Sequence, residues 1–266
     1  GKEVILTSRF VFTGNKQIID STIIDGNTAG CVVRILNGEG NGTEVTGLVI
    51  QNGYAGQGAG FYVSAKKLKI NNVIVRNNLA AGDIDGGGGI FWVNSLQITN
   101  SVFYKNKGRK GGAIALVGGD SAWFVNNEFY DNNGWESGSS ILFAGGQSQK
   151  VFVNNCLIHD EDGANAFTCY GTVFINNTTI VNNTPDNAGS VIYMSSGTMN
   201  FNNCIIRNPS GTEFASLVSS TPGSIKLTNC NIRGGYTGTG NFDSDPGFIK
   251  NSFKLSNSST SIGKGN

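Results

Sequence analysis

The sequence is short of charge. Asp, Glu, Lys and Arg make up 14% of 266 residues, against about a quarter in ordinary globular domains. The net charge is +1 with no basic block, which removes the electrostatic case for nucleic acid. There is one histidine, His159, and no Ser/His/Asp relay can be argued from it. Five cysteines form no CxxC pair, which removes most zinc and redox readings. No apolar run approaches the length of a membrane span, and no signal peptide is visible. Helical periodicity is absent almost throughout. Glycine, by contrast, reaches 39 residues. Apolar strands between glycine and asparagine turns would produce this balance.

What is present is a beat. Asn72, Asn100, Asn127, Asn155, Asn177, Asn203 and Asn229 follow one another at 28, 27, 28, 22, 26 and 26 residues. Two and four residues before each Asn the side chain is apolar, as in Val151/Val153 and Val173/Ile175, and the same reading pairs Trp123 with Val125. Three residues after, it is apolar again: Val75, Phe103, Tyr130, Ile158, Ile180, Ile206 and Ile232. Gly47 and Asp20 extend the beat upstream. A self-similar period in this range marks a solenoid.

Each unit reads as three short strands joined by turns. Val173–Ile175 alternates with period two, Asn176-Asn177 bends the chain, Thr178–Ile180 is a second strand, Thr184–Gly189 a polar loop, and Val191–Tyr193 a third strand. Asn suits the bend because it tolerates the left-handed region. Stacked rungs about 4.8 Å apart place amide on amide, so a ladder satisfying buried polar groups is expected at this turn. The expected fold is all-β: a right-handed, single-stranded parallel β-helix with three sheets and about ten coils. The whole chain, 1–266, reads as one domain, with 1–14 as an incomplete first coil and 238–266 as a C-terminal capping segment that protects the last strand edges. The cysteines read as small buried core residues.

Gly111-Gly112-Ala113-Ile114, with Phe124-Val125-Asn126-Asn127 downstream, resembles the GGA[ILV] and FxxN repeats of chlamydial polymorphic outer-membrane proteins. Gly88-Gly89-Ile90 and Gly189-Ser190-Val191 look like degenerate copies. Asp245-Pro246-Gly247-Phe248 through Ser261-Ile262-Gly263 resembles the closing segment of secreted bacterial right-handed β-helix proteins of the pectate-lyase-like superfamily, and Ile23–Asn27 an early coil of that group. The resemblance implies a secreted or cell-surface bacterial location and a polysaccharide, surface glycan or host-surface protein as partner. That group holds lyases and hydrolases as well as adhesins.

In its enzymes the site usually lies along one sheet and the loops entering it. Here the outward residues of the third strands are expected to be Tyr62, Phe91, Ala115, Leu142, Thr168, Ile192 and Ser216, none of which titrates usefully at neutral pH. Glycosidases need two carboxyls, and lyases a base with something to neutralise the uronate. The loops offer more. Lys107, Arg109 and Lys110, then Glu136, then Asp160 would line a cleft for an anionic sugar chain as candidate catalytic residues, with Asp83 and Asp85 as candidate Ca²⁺ ligands. Charged residues also sit in loops simply because loops are wet. No other cofactor is implied.

Phe124, Phe152 and Phe174 fall on the outward beat of the first strand in adjacent coils and, with Trp135, are candidate ligand-binding residues. A second apolar set, Ile74, Val102, Phe129, Leu157 and Ile205, also falls outward, although Glu128 then turns inward. Because the outward strand residues lack chemistry, a monomeric, non-catalytic, adhesin-like or glycan-binding rod is expected, with a polysaccharide lyase or related carbohydrate-active enzyme as the alternative.

Overall fold

The computed structural model describes residues 2–36, 42–64, 67–82, 86–92, 94–144, 149–185, 190–216 and 224–265. It is a parallel β-helix of almost pure strand. Seven regular coils begin at Glu44, Lys67, Ser95, Ser121, Lys150, Thr172 and Thr198. An earlier pass is interrupted by two short helices, Phe10–Thr13 and Gln17–Ser21, and a last pass stops at Ile232. The count is therefore below the ten expected, because both ends of the chain go into covering segments rather than coils.

The strands stack into four parallel sheets, of nine, nine, eight and six strands. The first two and the third are the expected ones, as with Val173 over Val151, Ile180 over Ile158 and Ile114 over Ile90. The fourth is an addition. It lies between the second and third strands of the first six regular coils, where Leu79–Ala80, Lys107–Lys110 and Asn133–Ser137 pair in place of a polar loop. Side chains from the first three sheets fill one continuous interior, with Trp92, Phe103, Phe129, Phe167 and Ile175 nearly inaccessible. The cysteines join it: all five are free thiols and four are buried.

One coil departs from the expected frame by one residue. The left-handed residue is Asn126, φ 57°, in line with Asn100 and Asn155, not Asn127. Gln97 therefore pairs with Trp123, and Trp123 with Phe152. Ala122 and Phe124 point inward; Phe124 is 0% exposed, so it is core rather than surface, and Trp123 is the outward ring. Phe129 likewise turns inward and Glu128 and Tyr130 outward. Burial chemistry decides the frame. The alternative would bury the Glu128 carboxylate without a partner. The observed frame buries Asn127, which accepts from the Ser101 amide at 2.9 Å and donates to the Ile98 carbonyl at 2.9 Å. A similar shift places Tyr193 over Thr168, so Ile192 belongs to the core.

The column of left-handed asparagines is exposed rather than buried. Its amides bond along the rod: Asn126 to Asn100 at 3.2 Å, Asn155 to Asn126 at 2.7 Å, Asn203 to Asn177 at 3.3 Å. The buried ladder is at the next bend. Asn78, Asn106, Asn132, Glu161, Asn183, Asn208 and Glu213 stack there, all buried. Each rung accepts from the backbone amide of the coil before and, where that coil places an Asn there, from its side-chain amide, as Asn106 Oδ1 does from Asn78 at 3.3 and 2.9 Å. Each Asn then donates to a strand carbonyl, as Asn106 does to Val75 at 2.9 Å. The ladder closes on Glu213, which is neutralised by Arg233 at 3.1 Å.

The Gly-Gly-Ala-Ile motif has a steric cause. Gly111 has φ 72°, and a Cβ on Gly112 would lie 2.6 Å from the Ser139 carbonyl oxygen. Only glycine lets the chain pass this close to the neighbouring coil.

Candidate functional site

The middle of the outer face of the third sheet is closed. Ala115, Leu142 and Thr168 are at most 1% exposed, and Phe91 stacks on Tyr62 at 5.4 Å. Glycine segments preceding several of these strands fold back over them: a Cβ on Gly138 would meet the Leu142 amide at 2.9 Å. A polymer has no access to this row.

The charged candidates gather on the fourth sheet. Arg109 and Glu136 pair across neighbouring rungs at 2.6 Å. The register shifts between Gly108 and Lys110, so the facing strand carries an extra residue, and Trp135 stands out at this bulge, 45% exposed. Lys110 ends the same strand as Arg109. Lys107 lines a shallow groove with Lys105, Asp131 and Asp162. Asp160 does not join them; its carboxylate turns to His159. Asp83 and Asp85 lie outside the described residues, and among the described residues no cluster of three His, Cys, Asp or Glu side chains suits a metal.

Trp135 is separated from Phe152 and Phe174, which lie on the first sheet across the coil. There the outward stack is Trp123, Phe152 and Phe174, with centroids 5.9 and 5.3 Å apart and planes within 11°. Parallel rings at that separation stack with an offset along the rod, so their faces are partly covered by one another.

The second sheet carries the site that the sequence did not disclose. The C-terminal segment runs back across its outer face as a strap. The strap's base is tied down by Arg207 to Asp243 at 2.6 Å and by Asn231 to Ser244 and Ser261, both at 2.9 Å. Its tip closes on itself, with Ser256 donating to Gly247 and Ile249 to Lys254, each at 2.9 Å. Between strap and sheet lie two grooves that meet at Asn177. One, of 670 Å³, is lined by Asn126, Asn155, Asn177, Glu128, Leu157 and Lys254. The other, of 350 Å³, is lined by Asn177, Asn203, Asn229, Leu255 and Lys264. The exposed amide column is their common wall, five rungs or on the order of 20 Å at the strand spacing.

At one end of the groove sits His159. Its Nδ1 is 2.6 Å from Asp160 Oδ2 and its Nε2 3.0 Å from Glu128 Oε1. The ring stacks on Tyr130 at 5.2 Å and carries Phe253 of the strap at 4.7 Å. Tyr130 stacks in turn on Tyr104 at 4.9 Å, and Arg76 donates to the Tyr104 hydroxyl at 2.7 Å. Burial, with the nearby Tyr104 and Glu128, pushes the Tyr130 phenol up to about 12. Burial pulls the His159 pKa down, but its hydrogen bonds to Glu128 and Asp160 outweigh this and hold it above the ordinary value. The clue in the sequence was Glu128, a carboxylate on an apolar beat that needed a partner.

With the geometry in place, comparison with known families is decisive for the fold. The profile of a right-handed β-helix region matches residues 59–232. The chain belongs to the right-handed β-helix family. Comparisons with curated proteins and with solved structures give no match. The match covers all the regular coils from the third strand of the first one onward, including the amide column from Asn72 to Asn229. The strap lies beyond it, so in this β-helix the groove joins the shared coils to a segment outside the matched region.

Proposed function

We propose that this β-helix is a non-catalytic binding module, secreted or displayed on a bacterial surface, and that it holds an extended polysaccharide along the groove between the amide column and the strap. The observation that carries the reading is the column itself. An amide offers two donor hydrogens and two acceptor lone pairs. The bonds along the rod occupy one donor and one acceptor of Asn126, one donor of Asn155 and one acceptor of Asn177, so these three rungs keep hydrogen-bonding capacity for a ligand. Evenly spaced, uncharged and exposed, these groups match the hydroxyls of a sugar chain lying parallel to the rod. The secreted or surface location rests on the repeat resemblance.

The test is a panel of neutral and uronate-containing polysaccharides, with binding followed by calorimetry and products by chromatography. The variant Asn155→Leu/Asn177→Leu is expected to lower affinity at least tenfold. Phe152→Ala should leave affinity within about twofold and cost about 1 kcal/mol of stability, since it removes one ring from a stack. Loss of binding in Phe152→Ala with the double variant unaffected would move the site to the first sheet. New reducing ends or unsaturated products would replace binding with catalysis.

A further inference from the structure

Resting on that reading for its use, we propose that the strap tip over the groove is held by a proton-dependent latch at His159, which closes the groove's Glu128 end in acid and frees it in alkali.

The geometry requires a doubly protonated ring. Carboxylates only accept, and both ring nitrogens face one: Nδ1 the Asp160 oxygen at 2.6 Å, Nε2 the Glu128 oxygen at 3.0 Å. Both contacts are hydrogen bonds only while the imidazole carries both protons. The strap base has its own anchors at Arg207 and Asn231, whereas the tip meets the coils through Phe253 on the same imidazole, 4.7 Å away. One ring thus holds the groove-lining Glu128 on one side and the strap tip on the other.

The ionisable groups around it are Glu128 and Tyr130 from the preceding coil, Asp160 and the buried Glu161 from its own, and Lys254, which lines the same groove from the strap. Loss of the proton leaves one nitrogen lone pair facing a carboxylate oxygen and two carboxylates without a cation between them. Glu128 then turns into the groove, and Phe253 loses the charge beneath its ring. The sign follows from the raised pKa of the folded state. The latch is whole below the ordinary histidine value and is lost as pH rises through the folded one.

The test is hydrogen exchange of amides 248–255 in the full chain at pH 6 and pH 9, each normalised to its intrinsic rate, without ligand. Wild type should lose protection at the tip at pH 9 at least tenfold more than strands of the first sheet, whose protection falls only with global stability. His159→Gln, which cannot gain the second proton, should show no pH step at the tip. Phe253→Ala should leave the tip unprotected at both pH values. Glu161→Gln should retain the step. Equal tip protection of wild type at both pH values, a step persisting in His159→Gln, or a step abolished by Glu161→Gln overturns the latch. A step in a protein that binds no polysaccharide upholds the latch and overturns the reading of the groove. Binding without a step does the reverse.

Discussion

The melting temperature is expected to be highest near pH 5 and to fall as pH rises towards 9, with Glu161 as the principal cause. This carboxyl is 2% exposed and stands where other coils place an asparagine. It accepts from the Asn132 amide at 2.9 Å, from Asn132 Nδ2 at 3.1 Å and from Ser140. Burial raises its pKa from 4.5 to about 8, against those hydrogen bonds and the nearby His159, which all pull it down. A raised folded pKa means that the folded chain binds the proton more tightly than the unfolded one. Stability is therefore full below about pH 4.5 and drains away as pH climbs through about 8. At 1.36 kcal/mol for each unit, the loss is on the order of 5 kcal/mol. His159 titrates with the same sign. Glu161→Gln keeps an acceptor for Asn132 and adds a donor. The Phe129 carbonyl stands at the place equivalent to Phe103 and Ile158, which take amide protons from Asn132 and Asn183. The variant should flatten the alkaline fall and melt about 5–10 °C above wild type at pH 9. A wild-type curve flat from pH 5 to pH 9, followed by circular dichroism, would refute the assignment.

The second large effect is a contrast between the two amide columns. Asn106→Ala should cost about 3–5 kcal/mol, because it leaves several buried groups unpaired. The Asn78 amide and side chain lose their acceptor, and the Val75 carbonyl and Asn132 Oδ1 lose a donor. Asn100→Ala removes an exposed residue with φ 51° and should cost about 1–2 kcal/mol, most of it left-handed backbone strain. Urea melts of both variants measure the difference. Equal losses would mean that the inner ladder is replaceable by packing.

The period of the solenoid was legible because stacking repeats a chemical demand at a fixed interval. The bend after each first strand needs a left-handed residue, and asparagine or glycine meets it, so Gly47, Asn72, Asn100 and Asn229 announce themselves. The frame inside one coil was not legible from the same signal. Asn126 and Asn127 both fit the bend, and only the fate of Glu128 and Trp123 separates them. Which of the two amide columns is buried was hidden for a related reason. Spacing shows that amides stack but not which side of the backbone they occupy, and Asn78, Asn106 and Asn132 have the same composition as the outer set.

The candidate site lay further from view. Lys107, Arg109 and Glu136 were found together on one sheet, as their order along the repeat implied. An aromatic row does stand on the first sheet, but Trp123 takes the place expected for Phe124, and the ring planes were hidden: offset stacking at 5.3 Å is a product of rung spacing. His159 carried no motif. Its carboxylate partners come from its own residue pair and from a coil 31 residues back.

By itself the sequence determined the winding of the chain, since alternating apolar residues between left-handed bends can bury themselves in no other periodic way. Tertiary structure alone decided which faces stay open. The middle of the third sheet is sealed by its own glycine segments, and the second sheet is crossed by a strap whose path obeys no period. A groove made between repeated and unrepeated chain has no signature in either one, because it exists only where the two meet.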